Sequence, residues 1–353
     1  MKRLKSLILV ALAVFVAVAY VPSNANTASA QQSSASLSIA PKKSYVMNPG
    51  DTVNDKISVH NIDSTSGLKL YMRVIDFTYT DDTGTPKLML DQDAEPTTWS
   101  LRSYMQIPDT IEMSASQTAS ADIDIHIPKN LGAGSYYSAI IYSTGAPDGS
   151  GNVGLSASGV TLVFVTVPGK VDENLIFKKL GAYDRTTKKY TFITGTEPQV
   201  IAYTLENKGN VTESPVGSIQ LQSMWGKKYV VSNVNPSSSL ALIGQTRTFT
   251  ACIKLKSSEV QLDNTTSDTS SCKSAGLWPG MYTISADLFY GQNGNNTQEI
   301  TKTAIFWYLP LWFIILVILV VLAIAFGIWR LVVNMQKRTN SPRGRKSSRL
   351  MRR

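Results

Sequence analysis

Two histidines, two cysteines and one short acidic run are the residues whose types and spacing could carry chemistry in this chain of 353. His60 and His126 are the natural candidates for a general base, but a base acts only within hydrogen-bond reach of its partner. Each lies in an alternating apolar–polar segment far from the other in sequence. They are read as solvent-facing or satisfied strand residues. Asp91, Asp93 and Glu95 have the spacing of a calcium loop's opening. Pro96 stands where the turn glycine is needed and Arg102 where the closing Glu is needed, so a solvated acidic loop is expected. The sequence has no Gly-x-Ser-x-Gly elbow, Walker loop or His-Glu-x-x-His. It offers no catalytic site, no metal site and no cofactor site, and an enzyme is not expected.

Cys252 and Cys272 enclose about 20 residues, with no Cys-x-x-Cys and no neighbouring histidine. In an exported chain such a pair fits a disulfide, worth ~3 kcal/mol in the chain-entropy model. Two unlinked buried thiols are the alternative.

The compartment follows from the segments that flank these residues. Residues 304–329 carry no charged side chain, a length of helix that reaches ~39 Å against a hydrocarbon core of ~30 Å. Phe306, Trp307, Tyr308 and Trp312 crowd one end and Trp329 marks the other, as interfacial aromatic belts do. The sequence thus predicts a transmembrane helix at 304–329 and a basic cytoplasmic tail at 330–353. A spacing of small residues, Ala323 and Gly327, permits close helix pairing, though such a spacing is more often incidental. Leu309 and Pro310 are not followed by the Thr-Gly that a sortase cleaves, so the helix is expected to stay in the bilayer.

Lys2, Arg3 and Lys5, an apolar run from Leu7 to Tyr20, and the small residues Ala28 and Ala30 form the parts of a secretory signal peptide over residues 1–30. An uncleaved anchor is the alternative. All 25 acidic residues lie between the two apolar segments, so residues 31–303 carry a balance of about −3. The net charge of +9 is therefore a matter of topology, and no nucleic-acid partner is expected. The lipid bilayer is expected to be a partner through the helix and its basic flank. The protein should sit in the cell membrane as a single-pass chain with its β-rich portion outside.

Residues 31–303 show period-two alternation bounded by turn residues and no sustained helical period, an all-β pattern. An internal repeat divides it. Residues 56–61 (KISVHN) match 202–207 (AYTLEN), each a strand closed by Asn; 116–118 (SQT) match 244–246 (GQT); 134–136 (GSY) match 280–282 (GMY). Two tandem seven-stranded immunoglobulin-like sandwiches are predicted, at 31–168 and 169–303, joined near Val167, Pro168 and Gly169. Two long loops, 145–159 and 257–275, are candidate contact surfaces, though most such loops are only solvated.

Several short phrases carry a family resemblance: Pro49 to Thr52 (PGDT), Ile107 to Asp109 (IPD), Pro128 with Gly134 to Tyr137 (GSYY), and Thr166 to Gly169 (TVPG). In the second half they are Leu205 to Asn210 (LENKGN) with Gly217, and Pro279 to Tyr282 (PGMY). The chain resembles the exported WxL-interacting proteins of Gram-positive-type bacteria. That resemblance implies a peptidoglycan-binding sandwich, a host-binding sandwich, one membrane helix and a short basic tail, without catalysis. It implies cell-wall polymer or a WxL-type surface protein as partner. The loop 257–275, which makes the interval from Thr246 to Tyr282 twice that from Thr118 to Tyr136, and both cysteines depart from the family pattern. The function expected is that of a membrane-anchored bacterial cell-surface binding protein, with a structural subunit or spacer of an envelope complex as the alternative. No individual binding residue is singled out.

Overall fold

The computed structural model describes residues 37–80, 83–91, 95–145, 157–254, 272–291 and 295–339. Among the described residues twenty strands and a short 3-10 turn at Arg102–Tyr104 precede one α-helix. The first eleven are β1 Leu37–Ile39, β2 Lys42–Val46, β3 Thr52–Asn61, β4 Leu68–Ile75, β5 Phe77–Tyr79, β6 Pro86–Leu88, β7 Met105–Gln106, β8 Thr110–Met113, β9 Thr118–His126, β10 Gly134–Ser143 and β11 Ala157–Val167. The remainder are β12 Leu175–Asp184, β13 Lys189–Thr191, β14 Ile193–Thr194, β15 Val200–Asn207, β16 Val216–Ser223, β17 Lys228–Val231, β18 Thr246–Cys252, β19 Gly280–Tyr290 and β20 Gln298–Tyr308. The helix, α1, is Leu311–Thr339.

The first sandwich packs the sheet β1-β3-β9-β7 on β2-β11-β10-β4-β8, and the second packs β13-β12-β15-β18 on β14-β20-β19-β16-β17. Each therefore shows nine sheet strands among the described residues rather than the seven expected. One cause is that one segment of each is split between both sheets: the opening strand in the first sandwich, and in the second the segment after β12, whose first part β13 pairs with β12. β1 joins β3, while β2 turns over to run parallel to β11; β14 likewise runs parallel to β20. Alternation places one face of each strand inside. Ile57, Val59, Ile123, Ile125, Ile140 and Val165 fill the first core; Ile201, Leu205, Leu221, Ile284, Leu288 and Phe306 fill the second.

The repeated phrases have one structural meaning in both sandwiches. Asn61 and Asn207 are buried at the ends of β3 and β15. Each side-chain amide donates to two backbone carbonyls and accepts one backbone N–H: Ser66, Ser114 and Asp63 in the first, Val211, Ala241 and Gly209 in the second. Each asparagine's own N–H donates at 2.9 Å to the glutamine of the Gln-Thr phrase, Gln117 or Gln245. Tyr136 and Tyr282 each donate to the carbonyl four residues back, Gly132 at 3.0 Å and Trp278 at 2.8 Å. An edge-to-backbone tie of this kind fixes the corner before the strand.

The helix begins later than expected. Residues 304–308 belong to β20, which pairs antiparallel with β19 from Gly280↔Tyr308 to Tyr290↔Gln298. Phe306 is fully buried and stacks on Tyr282 at 5.1 Å, so it is a core residue rather than part of an interfacial belt. The uncharged run is thus a strand followed by a helix. The break falls at Leu309 and Pro310, where a residue preceding proline is disfavoured in the helical region and proline suits the start of a helix. α1 also continues past 329, carrying Arg330 within it.

Candidate binding surfaces

His60 and His126 lie on one sheet face and are occupied there. Strands β3 and β9 pair Thr52 with His126, Asn54 with Asp124, Lys56 with Asp122, Ser58 with Ser120 and His60 with Thr118. Each of these pairs is in polar contact. His126 Nδ1 meets the Thr52 hydroxyl at 2.8 Å, and His60 Nδ1 meets Thr118 at 3.0 Å. Asn54 donates to Asp124, Ser58 and Ser120 are 3.3 Å apart, and Lys56 lies 3.7 Å from Asp122. The two histidines stand at opposite ends of a cross-strand polar ladder. Among the described residues no group of three His, Cys, Asp or Glu could hold a metal ion. Positions 92–94 of the acidic run, 146–156 and 257–271 of the two long loops, the signal segment at 1–30 and the tail beyond 339 lie outside the described residues.

Cys252 and Cys272 form a disulfide with a Cα–Cα distance of 5.1 Å. It joins the end of β18 to the segment preceding β19, and Ser274 and the backbone N–H groups of Gly276 and Leu277 then converge on the Glu197 carboxylate.

A joint between the sandwiches was not anticipated from the sequence. β10 is buried along nearly all its length, on both faces. One face looks into the first core. Tyr137, Ala139 and Ile141 on the other pack with Ile75, Phe77 and Phe164 against Leu242 of the second sandwich. Leu242 is fully buried, and Leu240 and Ile243 flank it. Around this plug the polar contacts are shared. Arg247 of β18 lies 4.7 Å from the centre of the Tyr79 ring and donates to the Tyr79 hydroxyl at 2.5 Å and to the Leu240 carbonyl at 2.7 Å. Gln245 donates to Thr78 and accepts from the Tyr79 N–H at 3.2 Å. Gly84 has φ +86°, which L side chains rarely adopt, and a Cβ there would meet the Arg247 guanidinium, so a larger residue would be strained and would displace Arg247 from Tyr79. On the far side Ser135 donates through its N–H to Asn210 at 3.0 Å and accepts from Thr212 N–H at 2.9 Å. A sheet face filled by a neighbour's leucine and rimmed with hydrogen bonds holds the sandwiches in one orientation.

The second sandwich also opens along one side. Its smaller sheet ends at β18 among the described residues, whereas in the first sandwich the equivalent strand β9 is covered by β7. The Ile253 N–H bonds to Gln199, so by the alternation of antiparallel pairing Thr246 and Thr250 turn their backbone groups away from β15. A cleft of about 280 Å³ runs beside this edge, lined by Val231, Phe249, Ala251, Ile253, Arg185 and Arg247. The edge, two guanidinium groups and a lining that also holds Ser232, Asn233, Asn235 and Thr250 make a largely polar surface that an extended peptide can meet.

Glu213 is fully buried, with one carboxylate oxygen accepting from the Gly291 N–H at 3.1 Å and the other without a partner. Burial, with Glu173 nearby, pushes its pKa up to about 8.

The helix α1 has one segment, Leu311–Gln336, long and apolar enough to cross a membrane, with mean hydropathy 3.2 and none of it buried against the sandwiches. Pro310 is buried, and Leu311 and Trp312 are exposed immediately after it.

No family model and no curated protein matches the sequence. Among solved structures, the chain is similar to one from a chaperone–tip adhesin complex of CFA/I fimbriae biogenesis, at 10% identity and TM-score 0.35, covering 78% of this chain and 100% of that one. It is similar to the class 5 fimbriae chaperone CfaA at 9% identity and TM-score 0.34, with the same coverage. The E. coli chaperone DraB gives 13% identity and TM-score 0.32 over 76% of this chain and 98% of that one. The sheet orders are those of paired immunoglobulin-like sandwiches.

Proposed function

We propose that this chain is a membrane-anchored, non-catalytic binding protein of the bacterial cell surface, whose paired sandwiches present a contact edge to cell-wall polymer or to a surface protein of the WxL or host type. One observation supports it above the others: the last strand of the second sandwich passes into an apolar helix through Leu309 and Pro310 alone, while the Leu242 joint fixes the first sandwich to the second. A binding surface held by two rigid bodies on one rod loses little ordering entropy when a partner docks. The arginines and lysines from Arg330 onward favour a cytoplasmic carboxyl end, which leaves the sandwiches outside. The edge of β18 and its cleft are the favoured contact, taken up by an extended segment of a partner protein.

Full-length protein in lipid nanodiscs, incubated with cell-wall polymer and with solubilised envelope proteins, should retain one of them. Thr250→Pro removes an outward-facing donor from β18 and leaves its pairing to β15 intact, because proline is tolerated on an edge. Retention should fall several-fold. Undiminished retention moves the contact away from this edge. If partners are instead lost when α1 is replaced by an unrelated anchor, the chain is a structural subunit that acts through its helix.

A further inference from the structure

We infer that the helix-proximal end of the second sandwich is a lipid-contacting seat, resting in the headgroup layer through Trp225, Trp278, Met224, Phe192 and Ile193. The inference rests on the proposed membrane anchor and adds to it a second contact with the bilayer.

Strand pairing brings these residues together. β20 runs toward the helix, and its last residue, Tyr308, pairs with Gly280 at the start of β19. Trp278 lies two residues before Gly280, level with Pro310 on the helix side. The β16–β17 turn holds Met224 and Trp225 beside it: Met224 N–H donates to the Met281 carbonyl at 2.9 Å, and the Trp225 indole N–H donates to the Pro279 carbonyl at 2.8 Å. From the other side β14 runs parallel to β20, pairing Ile193 with Trp307; Trp307 N–H donates to Phe192 and Leu309 N–H to Thr194. Three loops thus ring the point where the chain becomes helix.

Their side chains face outward. Trp225 is 61% exposed and Trp278 68%, the most for any aromatic of the sandwiches, with Phe192, Ile193 and Met224 each more than half exposed. Soluble surfaces seldom gather so many large apolar groups at one end without a partner. The partner is indicated by distance. The uncharged stretch from Leu311 to Trp329 rises ~28 Å before Arg330, close to the hydrocarbon thickness, so with Arg330 at one boundary Leu311 falls near the other and the sandwich end lies against the bilayer surface. At ~3.3 Å per strand residue, Tyr308 stands about 10 Å from the helix start, within the headgroup region. Tryptophan favours this layer, with an apolar body and one polar N–H. Lys227 and Lys228, exposed next to Trp225, place positive charge where anionic headgroups lie.

The test uses nitroxide labels on single cysteines in the full chain, with the native disulfide intact, reconstituted into vesicles of phosphatidylcholine and phosphatidylglycerol. Sites are Trp225→Cys, Trp278→Cys, Ser58→Cys on the exposed ladder of the first sandwich, and Leu319→Cys in mid-helix. Collision with oxygen and with a water-soluble nickel chelate reads depth. Labels at 225 and 278 should be several-fold less accessible to nickel than the label at 58, at a depth between headgroup and acyl chain. If 319 reads as buried in the bilayer while 225 and 278 match 58, the seat is overturned and the anchor stands. If 319 is itself in water, the anchor reading fails and the seat with it. Protection that persists in detergent micelles with dimers present, or that grows with protein-to-lipid ratio, would assign the patch to a second copy instead. Trp225→Glu combined with Trp278→Glu, labelled at Phe192→Cys, gives an independent reading: nickel accessibility at 192 should rise toward that of 58, and no change overturns the proposal.

Discussion

Arg247 in the second sandwich closes over Tyr79 in the first, its guanidinium 4.7 Å from the ring centre and 2.5 Å from the phenolic oxygen. The two residues stand at the rim of the joint plugged by Leu242. Such a joint couples the unfolding of the two bodies. In calorimetry of the detergent-solubilised protein a single sandwich transition is expected. Leu242→Ala should cost about 2–5 kcal/mol as a large-to-small core change, and Leu242→Asp should split the transition in two. Arg247→Ala should lower the melting temperature less than either, because the plug remains.

The buried asparagine ties give a matched pair of substitutions. Asn207 is fully buried, and Asn207→Ala would strip partners from the Val211 and Ala241 carbonyls and the Gly209 N–H. At about 1–3 kcal/mol for each uncompensated buried group, a loss of about 2–4 kcal/mol is expected after local relaxation. Asn61→Ala should act the same way on the first sandwich. Denaturant titration of each variant checks the pair.

Glu213 makes stability depend on pH in a defined window. Its folded pKa is raised to about 8, so between the ordinary carboxyl range and pH 8 the folded chain holds a proton that the unfolded chain has released. Stability is therefore full below the unfolded pKa and falls as pH rises toward 8, where the loss is complete. Glu213→Gln keeps the shape without the charge. Its melting temperature should exceed that of the parent at pH 8 and match it near pH 4, with the slope between them removed.

Replacing both cysteines with serine tests the staple. A closed loop of about 20 residues suggests a loss of ~3 kcal/mol in the chain-entropy model. The loss should appear in the second sandwich's denaturation, and reduction of the parent by thiol should reproduce it.

Much of the architecture could be read from residue order because it is written twice. Asn61 with Gln117 and Asn207 with Gln245 make the same local bonds in both copies, so short phrases were enough to align them. The helix boundary could not be read, because Ala304 to Tyr308 look equally apolar as helix or strand, and pairing to β19 and β14 decides between them. The joint was illegible for a similar reason: Tyr79 and Arg247 are 168 residues apart, and β10 reads as an ordinary strand until its second face is seen to be covered. The apolar run at Leu240, Leu242 and Ile243, bracketed by serines and a glycine, was the available signal for it. The histidines showed the reverse. Their residue type invited chemistry, and cross-strand threonines satisfy them.

Because β20 leaves the second sandwich at the end opposite its junction with the first, tension between the first sandwich and the helix would run lengthwise along that strand. β14 and β19 grip it from both sides. Under such a load the eleven register pairs from Gly280↔Tyr308 to Tyr290↔Gln298 resist together, in shear, instead of parting one after another like a zip. A chain built this way would serve as a mooring line as readily as a display stand.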